Sequence, residues 1–189
     1  NAIVGYGLSV VTACHLRRHL SLCLRMFEQY GNETFEISNE VGTWLSDIRS
    51  VMEKYCASVE SGAVDGKLRM NFARDMGYAF DRYKTVVYGD GFTGKTAFSY
   101  DDLCKFIELA LVFTDYTVRA NRRSDGFYHS YNLLERSGDG IGVKNLFLML
   151  EGQVAVLGCG ILDGSEAAEL LENMKNSELY SERDDSFYL

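Results

Sequence analysis

The octapeptide "GDGFTGKT", residues 89–96, matches the phosphate-cradling pattern G-x-x-x-x-G-K-[ST] at every constrained position. A nucleotide would then be held by Gly94, Lys95 and Thr96. That chemistry needs a buried strand running into the loop and a helix starting at the Gly-Lys pair, so that backbone amides and the helix dipole face the phosphates. The flanks predict otherwise. A helical pattern runs to Tyr83, and "KTVVY" offers only a short strand. The next helix is predicted to start at Ser99. Asp115, which could serve as a magnesium ligand, lies within that helical pattern. The spacing therefore favours a glycine-rich connection with a solvated Lys95.

A denser set of functional side chains is "TVRANRRSDGFYHSYNLLE". Arg119, Arg122 and Arg123 stand at the predicted end of the fourth helix, where cations are favoured. Asp125 and Gly126 form a turn, and His129 follows among Tyr128, Tyr131 and Asn132. Arginine forks bind carboxylate or phosphate bidentately, and a histidine can move a proton near neutral pH. Two readings follow: an anion site, or a helix end tied to acidic residues near the C-terminus. Glu151 lies in the apolar stretch "LFLMLEGQVAVLGCG". An ionised carboxylate buried there would need a cation or a polar pocket, so Glu151 is expected to pair with the arginines or with residues 128–131.

Other sets of residues carry less. His15 and His19 are four apart, a spacing that can bind metal, but no H-E-x-x-H surrounds them and Arg17 and Arg18 lie between. A solvated basic face is expected, with no metal. Five cysteines occur singly with no C-x-x-C pair, which reads as reduced thiols in the cytosol or an organelle matrix.

The elements that must position these residues read as helices. Apolar residues recur at three- and four-residue spacing over Leu8–Tyr30, Val41–Val59, Leu68–Tyr83 and Leu103–Thr114. Gly31 and Gly62 stop the first two runs. Ser38, Ser99 and Ser165 are candidate N-caps. Residues 121–142 read as loop, with a helical turn in "YHSYNLLE". Val143–Leu157 reads as a buried helix. The expectation is one all-α domain over residues 1–189, with about six or seven helices in antiparallel pairs and no sheet of more than two strands.

The chain has 189 residues, 47% of them hydrophobic, which suffices for a core. Its formal charge of −8 argues against a general nucleic-acid binder. No uninterrupted apolar run predicts a membrane span. Proline is absent, which permits long helices. The opening Asn suggests a piece of something longer.

The blocks "ANRRSDGFYHSYNLLE", "LMLEGQVAVL" and "NSELYSERDDSFYL" resemble consecutive segments of very large bacterial and protist proteins, of the diphosphate-dependent phosphoenolpyruvate carboxykinase type. The resemblance covers roughly residues 100–189, and "GCGILDG" departs from the family's pattern. It implies an enzyme interconverting oxaloacetate plus diphosphate with phosphoenolpyruvate, phosphate and carbon dioxide, using a divalent metal. This chain would be one module of it, without a cofactor of its own, and its partner would be a neighbouring domain or subunit. The alternative is a helical interaction subunit with no active site.

Overall fold

The computed structural model describes residues 7–188. Among them the chain forms six α-helices, one short 3₁₀ turn and seven strands. The all-α expectation is therefore wrong. The strands pair into three sheets, one of them three-stranded, so the expected limit of two strands fails as well.

The described residues divide into two compact units. One holds the residues up to His19, Thr114–Arg136, and those from Gly142 onward; the other holds Leu20–Phe113 and Ser137–Ile141. No helix among the described residues is long and apolar enough to cross a membrane.

β1 (Gly7–Ser9), in the first unit, pairs antiparallel with β4 (Tyr131–Ser137), which pairs in turn with β5 (Gly140–Asn145); the tip of this hairpin, Ser137–Ile141, is counted in the second unit. Gly138, at φ +58°, sits in the two-residue connection of the β4–β5 hairpin, a backbone conformation that glycine adopts without a Cβ penalty. This hairpin occupies the stretch that reads as loop in the sequence. Its strands are short and its alternation is blurred by "NLLERS", so periodicity alone missed it.

Helix α1 (Val10–Phe27) begins in this unit, and α4 (Tyr100–Arg119) ends in it. Helix α5 covers only Leu150–Gly158, because Val143–Asn145 complete β5 and a short extended segment follows. Helix α6 (Gly164–Lys175) is capped by Asp163, not Ser165. The Asp163 side chain accepts from the Glu166 amide, and Glu166 accepts from the Asp163 amide, a reciprocal capping box. Strands β6 (Tyr180–Ser181) and β7 (Ser186–Phe187) close the described chain. The core gathers Val10, Cys14, Val118, Tyr128, Val156 and Leu170, drawn from α1, α4, α5, α6 and the loop before β4.

In the second unit, α2 (Asn39–Glu60) and α3 (Gly66–Gly89) form an antiparallel pair: Trp44 stacks on Tyr83, and Tyr55 meets Phe72 edge-on. Ion pairs extend the contact, with Arg82 on Asp47 and Lys54 on Asp75, which also accepts from the Tyr55 hydroxyl. Asp65 caps α3 by accepting from the Leu68 amide. Strands β2 (Thr34–Ser38) and β3 (Lys95–Ser99) pair antiparallel, and each leads straight into a helix. Ser99 caps α4 as its spacing predicted, accepting from the Asp102 amide. "KTVVY", the best strand candidate in the sequence, lies instead in the last turns of α3. Three β-branched residues there cost a few tenths of a kcal/mol each, roughly, and the helix continues through them.

Candidate functional site

The arginine segment is a latch of paired charges. Arg119, the last residue of α4, grips both carboxylate oxygens of Glu166, and its Nη2 donates to the Ile161 carbonyl at 2.8 Å. This bidentate contact, reinforced by the capping amide of Asp163, holds the Glu166 carboxyl at about 2. Arg122 lies 3.6 Å from Glu169, and Arg123 meets Asp125 at 2.7 Å. Asp125 also accepts from the Phe127 amide and so shapes the turn. All three arginines nominated for an anion are thus engaged by carboxylates.

His129 is half-buried. Its backbone amide donates to the Asn121 carbonyl, while its ring Nδ1 has no hydrogen-bond partner. Burial, then the nearby Arg123 guanidinium, push its pKa below the usual histidine value. The neutral ring is favoured near pH 7.

Glu151 is exposed, which removes the premise that it is a buried charge. It meets the Tyr131 hydroxyl, which burial and then this contact push up. It forms no ion pair with Arg119, Arg122 or Arg123, which meet Glu166, Glu169 and Asp125 instead. The buried polar side chain of α5 is Gln153, two residues on, at 0% exposure. Its Oε1 accepts from the Tyr128 amide at 2.9 Å, and its Nε2 donates to the carbonyls of Tyr128 at 2.8 Å and Met149 at 2.9 Å. Gln153 therefore performs the pinning expected of Glu151. Next to it Gly152 donates to Ser130 Oγ at 2.8 Å, and a Cβ on Gly152 would stand 2.3 Å from that oxygen. Only glycine lets α5 lie so close to the loop.

One cleft of about 460 Å³ opens in this unit. Its wall includes His15 and Arg18 from α1, Tyr131 from β4 and Glu151 from α5. Arg18 forms no ion pair with any described residue, whereas neighbouring Arg17 binds Asp115 at 2.6 Å and the Cys159 carbonyl at 2.7 Å. At the cleft floor the thiols of Cys14 and Cys159 meet. Both are free, and sequence spacing gave no hint of the pairing. The hydrogen bond between the two thiols pulls Cys159 below the usual cysteine range, and the same contact, then burial, pushes Cys14 above it.

The "GDGFTGKT" segment has the reverse of phosphate-loop order: helix α3 runs in and strand β3 runs out. Gly94 gives its carbonyl to the Asn39 amide, Lys95 lies 3.6 Å from Glu36, and Thr96 pairs with Ile37 across the ladder. The helix start beside Lys95 is that of α2, whose N-cap Ser38 pairs with Lys95 and whose Asn39 amide donates to the Gly94 carbonyl, and the Gly-Lys pair itself leads into a strand instead of a helix.

Among the described residues no group of three or more His, Cys, Asp or Glu side chains could hold a metal. The divalent metal that the resemblance implies for a parent enzyme has no ligand set in these residues. No protein-family model matches the chain, and no curated protein matches it.

Proposed function

We propose that the chain is a module of a larger enzyme of carboxylate and phosphate metabolism, of the diphosphate-dependent phosphoenolpyruvate carboxykinase type. Its own part is to hold an anion or a neighbouring domain, not to break bonds. The observation that carries the reading is Arg18: a guanidinium without an ion pair to any described residue, on the wall of a cleft of about 460 Å³. His15 stands one turn away on α1, and the apolar side chains of Val11, Leu150 and Val154 line the same cleft. That combination suits a small carboxylate or phosphate ester with an apolar body. The resemblance of residues 100–189 supports the substrate class.

Calorimetric titration of the chain with oxaloacetate, phosphate and diphosphate tests it. Saturable heat that is lost in Arg18→Ala and kept in Arg122→Ala is expected. No heat with any of the three anions would leave the interaction-subunit reading in its place. That second reading has its own support: Tyr78, Tyr88 and Phe92 of the other unit are exposed, more aromatic surface than a solvated face needs.

A further inference from the structure

A second cleft, of about 410 Å³, lies in the other unit at the start of α2, bounded by α2, α3 and the loop before β3. Its wall carries a buried carboxylate that is only half-satisfied. Glu40 is 7% exposed, and its Oε1 accepts from the Thr93 amide at 2.8 Å and the Thr93 hydroxyl at 2.5 Å. Its Oε2 is buried without a hydrogen-bond partner. The Thr93 hydroxyl and then the Thr93 amide hold the carboxyl below its usual range, so it is ionised at neutral pH. One helical turn further along the same face is Trp44, whose indole Nε1 is also buried and unpartnered. An acceptor and a donor thus stand one helical turn apart on the cleft-lining face of α2, each buried without a protein partner, which native structures rarely tolerate.

The missing partner can be identified by its chemistry. An ammonium would satisfy Glu40 and leave the indole N–H orphaned. A carboxylate or phosphate would accept from the indole and be repelled by Glu40. A hydroxyl donates to one and accepts from the other. The remaining wall fits a ring: Tyr83 stacks on Trp44 with centroids 4.8 Å apart, and the Asp47–Arg82 pair, 3.0 Å between charged atoms, adds polar groups of both signs. The volume suits a ligand of monosaccharide size.

We propose that this cleft binds a neutral polyhydroxylated ring, one hydroxyl of which bridges Glu40 Oε2 and Trp44 Nε1. The site is independent of the Arg18 cleft, lies in the other unit, and takes a ligand class that the first reading does not.

Trp44 is the sole tryptophan, so intrinsic fluorescence reports this site alone. The full chain is titrated with glucose, galactose, mannose, ribose and myo-inositol, with methylammonium and phosphate as comparators. At least one polyol is expected to shift the emission saturably. Glu40→Gln, which turns the free acceptor into a donor facing another donor, is expected to weaken that binding at least tenfold. Trp44→Phe keeps a ring and loses the N–H, and calorimetry on it is expected to show a similar loss. Circular dichroism checks that both variants are folded, and whichever folds decides the matter. Silence from all five polyols overturns the proposal, as does binding of methylammonium in their place. Polyol binding that survives both substitutions overturns it too. Failure here leaves the Arg18 reading untouched, because phosphate heat and its loss in Arg18→Ala are read separately.

Discussion

Gln153 and Glu40 are the same device in two regions, with different outcomes. Each is a buried polar side chain on a helix that reaches out to fix a loop: Gln153 holds Tyr128, and Glu40 holds Thr93. Gln153 spends both its acceptor and its donor on backbone groups, whereas one Glu40 oxygen has no partner. A saturated amide in a close-packed core specifies a structure and does nothing more. A half-saturated carboxylate beside a cleft keeps a capacity to bind. The contrast separates buried polarity that maintains a fold from buried polarity that can serve a ligand.

The largest effect is expected where saturation is complete. Gln153→Ala orphans the Tyr128 amide and carbonyl and removes a fully buried side chain, a loss of about 3–5 kcal/mol in a denaturant titration. Gln153→Glu should be no better, since an ionised carboxylate cannot donate to the two carbonyls. Glu40→Gln keeps an acceptor for Thr93 and should move the midpoint far less. A Glu40→Gln loss equal to that of Gln153→Ala would break the contrast.

Gly152→Ala probes the same contact from the backbone. Its Cβ would sit 2.3 Å from Ser130 Oγ and 2.9 Å from Ser130 Cα, so α5 must retreat. A loss of about 1–3 kcal/mol is expected, despite alanine's better helix propensity. An unchanged or higher midpoint would mean that the loop is held less tightly than Gln153 implies.

The Arg119–Glu166 pair yields a pH dependence. The folded carboxyl, at about 2, lies below its ordinary 4.5, so its contribution is full above the ordinary value and is lost as pH falls through about 2. Thermal melts of the wild type should show an advantage over Glu166→Gln that shrinks across that acid window. An advantage that never appears would show that the latch is solvated, and one that persists unchanged below pH 2 would show that it does not depend on the ionised carboxylate.

The smallest effect belongs to Glu151. It is exposed, so Ala and Gln substitutions should each stay within about 0.5 kcal/mol of wild type. A large loss from Glu151→Ala would restore the buried-charge reading.

The helices were legible in the sequence because amphipathic spacing and caps are local. Ser38 and Ser99 mark helix starts in both the sequence and the structure, and Gly31 and Gly62 mark the stops. The lack of strand-to-helix order around "GDGFTGKT" was legible for the same reason. The sheets were not legible. Strands β2 and β3 are five residues each, and each becomes a strand by pairing with the other across two intervening helices. That is a non-local choice which periodicity cannot register. Which carboxylate each arginine takes, and that Cys14 meets Cys159, are likewise decided by packing. The same holds for burial within α5: composition placed Glu151 and Gln153 in one apolar run, and only the direction of each side chain determined that the amide went inside and the carboxylate out. An amide can saturate its hydrogen bonds against a loop backbone without carrying a charge into the core, and that is the physical reason the two residues divided as they did.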